Sequence, residues 1–436
     1  MSALHVKDTP KENVVIRDAR VVDPTQAIDT KLDVRVDDGL ISQLGERLET
    51  NEHRVVDAQG LTLAPAFVDP HVHLRTPGRE DEETIASGTR AAAAGGFCAI
   101  LAMPNTEPVV DSAAVLGALI EQARATAEIP VGFLAAITKG QAGAELTEMA
   151  ELADTGAVGF SDDGRPVVAP GLMRRALQYG SFARRPLAVH CEEPTLSQDG
   201  QVHEGTVSAE LGFAGYPSVA ESLMVGRDLA IAAYEGQPIH LLHLSARESV
   251  DALRRAQSAG VRATAEVTPH HLCLTDEAVR SLDPNFKMNP PLRSAEDRAA
   301  LIDALCHGAI SCVATDHAPH ARHEKDVPFE AAPFGVTGLE TAFAALYTHL
   351  VEPGLIPFGT LLERMSAGPA RAYGLEAPRI AVGARANFVL LDTSAQWCVG
   401  ADGFRSRSVN SWLLGKELTG CVALTIADGR IAFEAP

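Results

Sequence analysis

Eight apolar, β-type runs alternate with Ala-, Leu- and Glu-rich stretches through the middle of the chain. They cover 63–68, 97–103, 131–137, 157–160, 187–189, 239–242, 261–267 and 310–314. Helical patterns such as AAVLGALIEQARATAE and AEDRAALIDALCHG lie between them. Strand and helix alternating to that number predict a (β/α)8 TIM barrel, an α/β fold that assembles its chemistry at the C-terminal ends of its strands. The residues after each run fit that rule. The runs hand over to His71 and His73, Asn105, Thr138-Lys139, Ser161-Asp162-Asp163, His190, His243, His270-His271 and Asp316.

The two ends of the chain are built differently. VVIRDARVVD, LDVRVDDGLISQLG and HRVVDAQGLTLAP near the start, and ANFVLLD, SWLLGKELTG and CVALTIADGRIAFEAP near the end, are short β-type runs separated by Gly and Asp. VDDGLIS and IADGRIA share the form strand, Asp-Gly turn, strand. The expected organisation is a small β-sandwich made from both termini, 1–63 and 372–436, around a catalytic barrel over 64–371.

Composition narrows the class. Hydrophobic residues make up 46% and charged residues 22% of 436, which excludes a wholly disordered chain. A net charge of −20 argues against a nucleic-acid partner, and an anionic substrate would need local cations. The seven cysteines are odd in number and contain no CxxC pair, so neither a disulfide framework nor a zinc ribbon is expected, and a reducing cytoplasm is. The first residues lack the apolar core of a signal peptide, and the small-apolar run 91–103 is too short for a membrane span, so no membrane association is expected.

The strand-end residues carry the chemistry. Side chains two apart on an extended segment point the same way, so His71 and His73 in PHVHLR can share one ion. Imidazole suits zinc and similar divalent ions. Alone, HxH also describes two ordinary polar histidines. With His190 after PLAV, His243 after PIHLL and Asp316 after ISCVAT, the set becomes convergent. Four histidines and two carboxylates would hold two ions with positions left for water, a hydrolytic arrangement.

The stretches GLTLAPAFVDPHVHLRTPG, GGFCAILAMPNTEP, FSDDGRPV, AVHCEE, NFKMNPPLR, ATDHAPH and PFGVTGLE resemble the amidohydrolase superfamily, and within it the bacterial, monofunctional dihydroorotases. The resemblance covers essentially the whole chain. It implies a zinc centre of one or two ions held by His71, His73, Asp163, His190, His243 and Asp316. Many superfamily members bridge their metals with a carboxylated lysine after the fourth strand. Here that strand ends FSDDG, and the family motif favours Asp163 over the adjacent Asp162 as the bridge. The resemblance makes Asp316 the catalytic acid–base. It brings Arg75, Asn105, Asn289 and His320, with backbone groups of Phe334 and Gly335, to the small-molecule substrate. Arg75 has the planar fork that suits a carboxylate, and the two amides can donate and accept for a ureido group.

The implied activity is reversible hydrolysis of (S)-dihydroorotate to N-carbamoyl-L-aspartate in pyrimidine biosynthesis. A homodimer, with or without an associated aspartate transcarbamoylase, is the expected assembly. Two alternatives stay open at this level. One is an allantoinase- or dihydropyrimidinase-type cyclic amidohydrolase, a group that usually carries the bridging lysine. The other is a non-catalytic subunit that scaffolds a transcarbamoylase, a kind of relative that loses metal ligands.

Overall fold

The computed structural model describes residues 4–50, 52–400 and 402–436. Its centre is a barrel of eight parallel strands in consecutive order: Phe67–Val72, Phe97–Ala102, Val131–Ala135, Gly159–Ser161, Leu187–Val189, Ile239–Leu241, Ala263–Val267 and Cys312–Val313. The ring is closed by a bridge between Val72 and His317, where the His73 N–H donates to the His317 carbonyl at 2.9 Å. Asp69 fastens the same seam. One of its oxygens accepts from the Thr315 N–H at 3.1 Å and the other from the Thr315 hydroxyl at 2.5 Å. Fully buried, this carboxyl is pushed up to about 7.

Helices pack outside the strands by the apolar spacing visible in the sequence. Ala113–Thr126 buries Leu116, Leu119, Ile120 and Ala123, one stripe at i, i+3, i+4 and i+7. Ala295–Cys306 begins at a capping box in which the Ser294 hydroxyl takes the Asp297 N–H. Leu101, Met103, Leu134, Val158, Ala188, Leu242 and Tyr373 form one buried apolar cluster drawn largely from successive barrel strands, so the barrel interior is packed rather than open.

The first apolar run divides where the sequence suggested one strand. Thr62–Pro65 pairs with Phe388–Cys398 and with Val14–Asp23 in the terminal sheet, and the barrel starts only at Phe67. Ala66 lies between the two, its N–H taken by the Asn387 carbonyl. A continuous apolar run carries no mark of which sheet each residue joins.

Both termini do build one β unit. Seven of its strands follow one hydrogen-bonded path, with Arg54–Asp57 branching from Val14–Asp23. Ile41 and Ile426, from strands near opposite ends of that path, share one core with Val14, Val34, Leu63 and Phe388. The two Asp-Gly turns meet. Gly39 and Gly429, at φ 75° and 73°, approach so closely that a Cβ on Gly429 would strike the Gly39 backbone. Only glycine satisfies both the left-handed turn and the contact.

Candidate metal centre

Ten of the twelve site residues expected from the sequence line a single cleft of about 170 Å³ at the C-terminal ends of the strands. They are His73, Arg75, Asn105, Asp163, His190, His243, Asn289, Asp316, Phe334 and Gly335. His71 lies directly behind the cleft at zero exposure, and His320 stands beside Arg75. Arg75, His243 and Asp316 hold φ values of 57°, 29° and 48°. Left-handed backbone costs non-glycine residues on the order of 1–3 kcal/mol each, so the barrel rim stores strain where the side chains converge.

The four imidazoles surround Asp163. Its Oδ1 lies 3.6 Å from His71 Nε2, 3.4 Å from His243 Nε2 and 3.8 Å from His190 Nδ1, while its Oδ2 lies 3.6 Å from His73 Nε2. Asp316 Oδ1 lies 3.0 Å from His73 Nε2 and 3.4 Å from His71 Nε2. Most of these gaps are too long for hydrogen bonds. Ligands about 2.0–2.2 Å from one tetrahedral ion sit about 3.3–3.6 Å from each other, and that is the spacing found. His71 Nε2 is buried with no hydrogen-bond partner among the described residues, an orphan nitrogen that an ion would satisfy. Among the described residues, the four histidines and Asp163 form two groups with metal-ligand spacing, His71–His73–Asp163 and Asp163–His190–His243, which share Asp163.

The electrostatics also favour a cation. Burial would raise Asp163, but the imidazoles of His71, His243 and His73 outweigh it and hold the carboxyl well below its usual range. Burial would lower His71, and the carboxylates Asp163, Asp316 and Glu266 reverse that. Asp162 faces away, accepting from the Ile137 N–H at 2.8 Å, the Thr138 N–H at 3.1 Å and the Thr138 hydroxyl. Lys139 is 46% exposed and pairs with Glu145 at 2.6 Å, so no lysine reaches the centre from the third strand.

On the substrate side, Arg75 Nε donates to the Pro319 carbonyl and lies 3.0 Å from Glu82 Oε2. His320 Nδ1 is 3.2 Å from Glu82 Oε1, and its Nε2 is 2.8 Å from the Phe334 carbonyl. The Gly335 N–H donates to the Lys287 carbonyl. Asn105 is turned toward the ligand set: its Oδ1 lies 2.9 Å from His73 Nδ1, and its Nδ2 donates to Asp163 Oδ2 at 3.2 Å. His271 is held by Thr268 and the Pro290 carbonyl, a packing role. The Cys191 thiol points away, 3.9 Å from Asp228.

Sequence reasoning missed the carboxylates behind the site. Glu266 engages His71 Nδ1 at 2.7 Å and His240 Nε2 at 3.0 Å. Glu192 engages His190 Nε2 at 2.9 Å. Glu82 joins Arg75 to His320. A lone acid inside an apolar strand, as in ATAEV, was the available signal, because a buried charge needs partners.

A family model described as "Dihydro-orotase-like" matches residues 60–249. The chain is 44% identical to the dihydroorotase of Geotalea daltonii over 96% of this chain and 99% of that protein. It is 45% identical to that of Anaeromyxobacter dehalogenans over 96% and 97%. Among solved structures, the L-hydantoinase (dihydropyrimidinase) from Arthrobacter aurescens aligns with a TM-score of 0.87 at 26% identity, covering 97% of this chain and 96% of that one. A dihydropyrimidinase from Brevibacillus agri aligns at 0.81 and 22% identity, over 98% and 95%, which speaks for the fold alone. With relatives this similar along nearly its whole length, the chain belongs to the dihydroorotase family.

Proposed function

We propose that this protein is a zinc-dependent dihydroorotase, interconverting (S)-dihydroorotate and N-carbamoyl-L-aspartate. The observation that carries the reading is the pair of ligand groups sharing Asp163, at the end of a fourth strand without lysine and next to Arg75. In this reading His71, His73, Asp163, His190, His243 and Asp316 would hold one or two zinc ions, Asp163 being the residue that the two ligand groups share. When bound there, zinc would supply Lewis-acid chemistry, making water more acidic and the ring amide carbonyl more electrophilic.

The chain's own groups do the rest. Arg75 and His320 hold the substrate carboxylate, a local cationic anchor in an acidic protein. Asn289 and the backbone of Phe334 and Gly335 meet the ureido part. Asn105 orients His73 and Asp163 from its present hydrogen bonds. In hydrolysis, water adds to the amide carbon, Asp316 takes its proton at a carboxylate oxygen and returns it to the leaving ring nitrogen. Synthesis reverses those transfers.

The finer assembly in this reading is a homodimer. The exposed side chains of Val219, Leu223 and Tyr234 on the helix Val219–Glu235, with the exposed Phe182 on the neighbouring helix Pro170–Ala183, support it. Association with an aspartate transcarbamoylase is tested by cosedimentation of the two purified enzymes. A cytoplasmic location agrees with seven free thiols, and among the described residues no helix is long and apolar enough to cross a membrane. The test of function is turnover of dihydroorotate against hydantoin, dihydrouracil and allantoin. Hydrolysis of dihydroorotate alone, or at least a hundredfold faster than the others, is expected; preference for an uncharged ring contradicts the reading.

A further inference from the structure

Asn289 lines the cleft, and its Nδ2 donates to Glu192 Oε2 at 3.1 Å. A carboxylate oxygen only accepts, so this amide has one permitted orientation. Asn289 Oδ1 is thereby committed to the other side, where it is buried and no donor among the described residues reaches it. The same Glu192 oxygen takes the His190 Nε2–H at 2.9 Å. An imidazole that donates from Nε2 keeps its lone pair on Nδ1. Nδ1 is the nitrogen that faces His243 Nε2, 3.0 Å away. The carboxylate is itself anchored, because Ser197 Oγ donates to its other oxygen at 2.5 Å.

We infer that Glu192 is a positioning residue that ties the metal centre to the ureido end of the substrate cleft. One oxygen sets which nitrogen His190 offers the metal and which atom Asn289 offers the substrate. Asn289 then acts as an acceptor, and the cleft selects a ring that presents an N–H at that place. The inference rests on the dihydroorotase reading, whose substrate ring carries two N–H groups.

The test uses the zinc-loaded protein and its Glu192→Leu, Glu192→Gln, Asn289→Ala and Glu192→Leu/Asn289→Ala variants. Zinc affinity is read by chelator competition, and kcat and KM are read with dihydroorotate. Glu192→Leu should weaken zinc about tenfold or more and raise KM about tenfold. Asn289→Ala should raise KM alike while leaving zinc affinity within about twofold. The double variant should have the KM of Asn289→Ala alone, because Glu192 reaches the substrate only through Asn289. Glu192→Gln should recover most of both losses, since its carbonyl oxygen can accept the same two donors while its amide turns to Ser197. Fully additive KM effects, an unchanged zinc affinity in Glu192→Leu, or a Glu192→Gln as damaged as Glu192→Leu would overturn the inference.

A second measurement does not depend on the Leu variant folding. Dihydroorotates methylated on each ring nitrogen are bound to the parent protein. One should bind at least tenfold more weakly than the other, and the gap should shrink in Asn289→Ala; equal binding of both overturns the acceptor role. A parent protein that turns over no dihydroorotate overturns the functional reading and the substrate half with it, while the zinc arm still decides the Glu192–His190 half.

Discussion

The Nδ1 of His71 lies 2.7 Å from Glu266 Oε1, and both side chains have zero exposure. The two are 195 residues apart in sequence. The contact leaves Nε2 as the ring nitrogen free to bind an ion. Burial alone would raise Glu266, but His71 and His240 hold it down at about 2, so the acceptor stays charged. Carboxylates behind a ligating histidine typically account for 10–100-fold in metal affinity. Glu266→Ala is expected to weaken zinc by about that factor, read by chelator competition. Unchanged affinity would mean that His71 does not need this partner.

In the proposed function Arg75 is the cation that meets the anionic substrate. Hydrogen bonds to charged groups contribute about 1.5–3 kcal/mol, so Arg75→Met should lower kcat/KM roughly 10–100-fold, with zinc content unchanged. Steady-state kinetics alongside metal analysis checks this. Normal kinetics would move the carboxylate anchor elsewhere.

Asp162 and Asp163 should fail in different ways. Asp163→Ala removes the group common to both ligand sets and should lose at least one ion per chain. Asp162→Ala should keep its zinc. It strands the Ile137 and Thr138 donors, however, and each unsatisfied buried group costs about 1–3 kcal/mol. Its thermal midpoint should therefore fall while its metal content holds. Metal analysis with calorimetry separates the two, and equal zinc loss from both would contradict the assignment.

How far the sequence carried can be read from these residues. His71, His73, His190, His243 and Asp316 were visible because each ends an apolar run, and the fold does no more than bring those ends together. Glu266 was not visible, because its link to His71 is made by long-range closure of the barrel, and although Glu192 and Glu82 lie close in sequence to His190 and Arg75, their second partners Asn289 and His320 come from distant segments and a single acid has no periodicity. Asn105 was visible as a strand-end amide, yet its engagement with His73 and Asp163 depends on the mutual placement of the first, second and fourth strands. The split between Pro65 and Phe67 was hidden for a similar reason: two sheets draw on one apolar run.

Lys325 gives a pH test away from the metal. Burial lowers it to about 7 from 10.5, with its ammonium nitrogen donating to the carbonyls of Pro284 and Pro333. Between those values the unfolded chain binds the proton that the folded chain has released. Stability from this group therefore rises with pH across roughly 7–10, by up to a few kcal/mol. Denaturation of parent and Lys325→Met at pH 6.5, 7.5 and 8.5 should show the difference moving in the parent's favour as pH increases. Parallel curves would contradict the shift.

The most direct test of the central claim is reactivation of stripped protein. Zinc is removed by chelation and returned in bicarbonate-free buffer, and dihydroorotate hydrolysis is followed against bound zinc. An aspartate common to both ligand groups already carries its carboxylate. The expected result is full recovery with zinc alone, tracking one to two ions per chain. Recovery that requires bicarbonate, or full turnover without metal, would contradict a zinc dihydroorotase centre built on Asp163.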